Sequence, residues 1–370
     1  MKHLITGSAL ALALFTFTSC NKDNDGPNVQ PYTVPSAYTF ENVDFTEATA
    51  HVRMLDGINK YLGKTQSSMD KVPLDQSKVD NMWTNTGNPF DSTWLNSTGT
   101  SLSEVIADGA AFKGLLDALV TLSGKDLTPA TEGAEGYIAR NAGKILVNAN
   151  GVEYVQAFQK GAMGAALYKQ AMELLDKVPS SNNTTVVAGQ GTEMSHNFDL
   201  AFGYFSLPTN YDTSAAFATE NKSSLLFWGN YLRERGEYIH ATDALWTAFR
   251  TGRAAIEAND VAEVAAQIAI IKDYWEKLAA AAAWAYVTIP QSQAGNLASQ
   301  FHALSEGLGF IAALKYRPAS SKLTEAQYQQ LVSILGPDAN LYDLVSDPSF
   351  AQLNAAKDIL RTVYGQLKED

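Results

Sequence analysis

Apolar residues recur at three- and four-residue steps along almost the whole chain, and this spacing constrains the fold more than any other feature. Within 45–62, Phe45, Ala48, Val52, Leu55, Ile58, Tyr61 and Leu62 fall on one stripe. A helix can bury that stripe on a single face, whereas a strand would divide it between two. The same spacing predicts helices over 102–122, 152–178, 192–205, 223–233, 237–258, 261–287, 294–316, 324–335 and 349–367. Ser101 and Glu104 form a capping box for the second, Asp260 caps 261–287, and Pro290, Pro318 and Pro337 are read as helix stops. No run alternates as a strand would, and β-like pieces such as 184–188 are isolated. The expectation is an all-α protein of long antiparallel helices in two bundle-like halves. The alanine run at 279–283 and the glycines at 109, 114, 161, 164, 307 and 309 are expected where helix backbones approach closely.

Composition removes whole classes of function. Hydrophobic residues make up 46 % of the chain and charged residues 18 %, which suits a packed core and excludes general disorder. The net charge of −12 over 370 residues argues against binding a nucleic-acid backbone, which calls for a basic face.

The N-terminus has the form of an export signal. Lys2 and His3 precede an apolar run over 4–17, and Thr18-Ser19 close it with small residues. The run is shorter than the roughly 20 residues of a membrane span. Cys20, the single cysteine, follows at once and resembles the lipidated cysteine of a bacterial lipobox. The expected order is a signal peptide over 1–19, a flexible tether over 20–37, an N-terminal helical half over 38–190 and a C-terminal half over 191–370. The membrane is then a partner through a lipid on Cys20, and the location is the outer membrane, facing the surface or the periplasm. One cysteine leaves no disulfide, cysteine metal site or cysteine nucleophile in the body.

Histidine–carboxylate spacing is the main chemical signal. His51, His196, His240 and His302 follow the leader. His196 with Asp199, and His302 with Glu306, stand three or four residues apart, so each pair can share a helix face. Glu237 with His240 repeats the spacing. Helical bundles build metal sites from such pairs on facing helices, and the same pairs also serve as structural hydrogen bonds. His196 and His302 share a further pattern: glycine recurs seven positions on, at Gly203 and Gly309, followed by Tyr204 and Phe310. This raises an internal duplication as one reading of the recurrence. Arg233, Arg235, Arg250 and Arg253 form a basic cluster, read as ion pairs with Glu234, Glu237 and Glu257. The chain has no HExxH, GxSxG or P-loop motif.

The stretch 196–205 (HNFDLAFGYF) is similar to the signature of a Bacteroidota and marine-bacterial lipoprotein family of imelysin-like helical proteins. The stretches 38–43, 156–165, 252–256 and 302–310 add to the resemblance. It implies an all-α fold in two bundle-like halves, an association with iron uptake, and a grouping with metallopeptidases through a Gly-x-His-x-x-Glu motif. Here Met194 stands where that motif has glycine, and Leu200 stands where the lipoprotein family has glutamate. The leading expectation is an envelope lipoprotein that binds a divalent metal or iron complex through His196, Asp199, His302 and Glu306. The alternatives are a metal-dependent hydrolase using the same residues, and a structural or partner-binding lipoprotein.

Overall fold

The structure is a computed structural model that describes residues 29–125 and 128–368. It is all-α apart from one small hairpin, as the apolar spacing predicts. Among the described residues no helix is long and apolar enough to cross a membrane.

Residues 29–45 form an extended strap laid over the body. Gln30 N donates to Ala258 O at 2.9 Å, Arg250 Nη1 to Pro35 O at 2.7 Å, and Tyr38 N to Thr209 O at 2.8 Å. Helix α1 (Thr46–Leu62) follows and buries Ala48, Val52, Leu55, Ile58 and Leu62. Short helices α2 (Gln76–Thr84), α3 (Thr93–Asn96) and α4 (Leu102–Val105) are each opened by a side-chain cap, from Asp75, Ser92 and Ser101 respectively. The helix expected over 102–122 is split. The backbone leaves helical geometry at Ile106, Ala107 N bonds Ala165 O across the core, and Asp108 takes a φ of 55° before α5 (Gly109–Gly124) begins.

The hairpin is a correction to the sequence reading. Strands β1 (Gly136–Arg140) and β2 (Gly143–Val147) pair antiparallel with Arg140 opposite Gly143. Asn141 supplies the turn with a φ of 54°, which asparagine tolerates better than most residues. All five β2 residues are buried, so no alternation betrays the strand.

Helices α6 (Tyr154–Ala162) and α7 (Lys169–Lys177) are one continuous rod with a wider π-type turn at Met163–Tyr168 between them. Then come α8 (Glu193–Phe205), α9 (Ala215–Glu220) and α10 (Phe227–Arg235). Helix α11 (Ala241–Glu257) begins later than the spacing predicts, because His240 takes a φ of 57° after a tight turn at Glu237–Ile239. Helix α12 (Val261–Ser292) is capped by Asp260 and runs through Pro290, correcting the expected stop. A proline in the last turn forfeits only one ladder bond, and Gln300 takes up the Pro290 carbonyl at 3.1 Å. Helices α13 (Leu297–Ala313), α14 (Glu325–Leu335), α15 (Leu341–Ser346) and α16 (Ala351–Tyr364) complete the chain.

One core joins both halves. Trp228, Trp275, Phe205, Tyr168 and Phe310 meet edge to face or tilted at its centre, with ring centroids 4.5–5.9 Å apart. Ala279–Ala283 are fully buried beneath them. Neighbours in sequence pack antiparallel, as α12 and α13 do through Pro290–Gln300 and Tyr286–Gly307. Two other pairs run parallel: α8 along α1, and α13 along α6. Their contacts advance together, from Phe45 and Ala48 at Gly203 to His51 at Tyr204, and from Glu153 at His302 to Lys160 at Gly309.

Candidate functional site

Asp199 on α8 is fully buried, and it turns away from His196. It accepts hydrogen bonds from Arg253 Nε at 2.9 Å and from the Tyr38 hydroxyl at 2.6 Å. Burial pushes its carboxyl up to about 6, against the pull of the Arg253 guanidinium and the Tyr38 hydroxyl, so it is ionised at neutral pH. Arg253 also reaches Glu257 and the Glu41 carbonyl. Three stretches that carry the family resemblance, 38–43, 196–205 and 252–256, therefore meet in one buried anchor.

The second pair is similarly committed elsewhere. Glu306 faces Lys160 at 3.2 Å, and His302 Nδ1 lies 2.8 Å from Glu153 Oε2. Glu153 is completely buried and is also held by Gln66, while its backbone N–H donates to Ser305 Oγ at 2.8 Å. Tyr231 and Tyr286 extend this seam, their hydroxyls 2.9 Å apart. Burial, with Glu306 and Tyr286 alongside, raises the Tyr231 hydroxyl well above its ordinary value.

The single metal site expected from His196, Asp199, His302 and Glu306 is thus not assembled. Three of the four are spent on Arg253, Glu153 and Lys160, and among the described residues no group of three or more His, Cys, Asp or Glu converges. Glu237 and His240 do not share a helix face either, because the turn at His240 separates them from α11. Of the arginines, Arg233 pairs with Glu234, and Arg253 pairs with Glu257 but is buried where an exposed face was expected. Arg250 instead holds the strap, and Arg235 lies 5.9 Å from the centre of the Tyr286 ring.

The recurrence 106 residues apart has a structural counterpart. In each case a histidine early in one helix stands near a carboxylate just before a parallel partner helix, Asp44 before α1 or Glu153 before α6. In each case the glycine seven positions on admits that partner. A Cβ at Gly203 would lie 2.7 Å from Phe45, and one at Gly309 would lie 2.4 Å from Lys160.

A separate recess opens among α5, α6, α13 and α14. This cleft of about 680 Å³ has a floor of Phe112, Leu115, Ala157, Leu308, Ile311, Val332 and Leu335, drawn from α5, α6, α13 and α14. Its rim is polar. Lys315 and the Tyr316 hydroxyl, the latter at 3.0 Å, bond Asp108, and Arg317 pairs with Glu325 at 2.8 Å while lying 4.9 Å from the centre of the Tyr328 ring. Sequence reasoning missed these residues. They come from segments more than two hundred positions apart, and no local motif marks them.

Residues 35–363 match the family described as Domain of unknown function (DUF4856). The chain belongs to this family. No curated protein and no solved structure matches it. The DUF4856 match opens at Pro35, whose carbonyl holds Arg250, and encloses the buried anchor, the polar seam and the cleft. Cys20 and the signal-like segment lie outside the described residues.

Proposed function

We propose that this chain is a lipid-anchored protein of the bacterial outer membrane that binds a small molecule with an apolar body in the α5–α6–α13–α14 cleft. The observation that carries the reading is the cleft itself, an apolar floor ringed by a few polar groups, at a size in the usual range of about 300–1,000 Å³ for ligand pockets. Apolar surface drives entry, and Tyr316, Lys315 and Arg317 at the rim orient whatever polar group the ligand carries. The anchor rests on Cys20 and the apolar run before it. Kinship with imelysin-like helical proteins belongs to the same proposal and rests on the stretches at 196–205 and 302–310.

Binding is favoured over metal capture or hydrolysis because Asp199, His302 and Glu306 are held by Arg253, Glu153 and Lys160, and no histidine lines the cleft. The test is titration of the purified chain with 8-anilinonaphthalene-1-sulfonate, an apolar anionic dye. Saturable, one-to-one enhancement of its fluorescence is expected. Absence of enhancement, or enhancement indifferent to filling the cleft, overturns the reading.

A further inference from the structure

His196, left over from the metal reading, lines a second recess of a different chemical character. This hollow of about 450 Å³ lies beside the start of α1 and presents Asp44, Glu47, Thr98, Gln190 and His196 around the indole of Trp94. Trp94 is 41 % exposed, and it is the one aromatic among the exposed large hydrophobic residues described. Its short helix is fixed by the Ser92 cap, so the ring is presented from a set position. Burial works against the Asp44 carboxylate, but hydrogen bonds from Thr46, with His196 and Gln190 nearby, hold it below the usual range and therefore ionised. His196 Nδ1 is buried with no hydrogen-bond partner. Behind the wall, Thr100 is locked to His51 Nε2 at 2.6 Å, and His51 Nδ1 to the Tyr204 hydroxyl at 2.7 Å.

We infer that this hollow is a saccharide-binding site, independent of the cleft. The chemistry of the wall disfavours an apolar molecule and an anion. An apolar molecule would strip water from two carboxylates and an amide without replacing their hydrogen bonds. An anion would meet Asp44 and Glu47 with no lysine or arginine in the wall to offset them. A sugar ring offers both things the wall asks for. Its C–H face packs on an indole, and its hydroxyls donate to carboxylates while accepting from amide and imidazole N–H groups. The volume falls within the range of ligand pockets, and the locked Thr100 and Asp44 limit the ordering cost of binding.

The test is isothermal titration of the purified full-length chain with a panel of neutral mono- and oligosaccharides, with choline and inorganic phosphate run alongside. At least one saccharide is expected to bind one-to-one. Trp94→Ala should weaken it about tenfold or more. Glu47→Gln should weaken it too, and both variants should melt where the parent does because both side chains are exposed. Ala312→Trp, which fills the cleft, should leave saccharide binding unchanged, so failure of the cleft reading and failure of this one are separable. The inference is overturned if no saccharide binds, if binding ignores Trp94→Ala, or if choline or phosphate binds there in preference.

Discussion

Arg253 on α11 donates through Nε to Asp199 Oδ1 on α8 at 2.9 Å, and solvent reaches neither side chain. Removing one partner of such a pair strands a buried charge, at a cost of about 3–5 kcal/mol. Asp199→Ala should therefore show a large loss in urea unfolding. Arg253→Met, added to Asp199→Ala, should recover part of it, because the guanidinium is then no longer stranded. Equal losses for the single and double variants would show that the charge pair is not the source.

His51 sets a pH limit on the fold. Burial lowers its pKa from 6.5 to about 4, opposed by nearby Glu104. A folded value below the unfolded one means the contribution is complete above about pH 6.5 and is lost as pH falls from there toward 4. The shift corresponds to about 3 kcal/mol. Burial raises the Asp199 carboxyl to about 6 and acts in the opposite direction over the same range, so the urea midpoint of the parent should fall between pH 7.5 and pH 4 relative to that of His51→Gln.

Two helical glycines should respond in opposite directions. A Cβ at Gly309 would lie 2.4 Å from Lys160 Cβ and 2.7 Å from the Gly161 backbone nitrogen, so Gly309→Ala should cost at least about 1–3 kcal/mol. Gly114 is exposed within α5 and has nothing within 4 Å, so Gly114→Ala should stabilise by about 0.5–1 kcal/mol. Thermal melts of the two variants give the signs directly.

Ala312 is a half-buried residue of the cleft lining on α13. Ala312→Trp should reduce dye binding about tenfold or more while leaving the melting temperature close to the parent's. Undiminished dye binding would place the probe elsewhere.

Cys20→Ala should move the expressed protein from the membrane fraction to the soluble fraction and abolish labelling by a palmitate analogue. Continued membrane association of the variant would refute the lipid anchor.

The all-α class was legible because the apolar stripes need only local geometry to be read. The breaks at Asp108 and His240 were not, since in both an exposed non-glycine residue takes a positive φ that apolar spacing does not signal. Spacing placed Asp199 on the right helix but could not name its partner. The three-residue step suggested His196, whereas Arg253 lies 54 positions away and arrives only through folding. Glycine played the same double role. Gly161, Gly164, Gly307 and Gly309 do admit neighbouring helices, yet Gly114 looks identical in sequence and faces open space. The cleft left no trace because Phe112, Ala157, Leu308 and Tyr328 each look like ordinary core residues in isolation.

The strap over residues 29–45 decides how the body would respond to a pull from upstream. Tension would enter at Gln30 and meet the bonds to Ala258, Arg250, Thr209 and Arg253 in succession before reaching α1. Such bonds peel one at a time, so a modest tug is absorbed at the α11–α12 corner. The cleft takes no lining residue from the strap. A body swinging on its leash would thus keep this recess mechanically quiet.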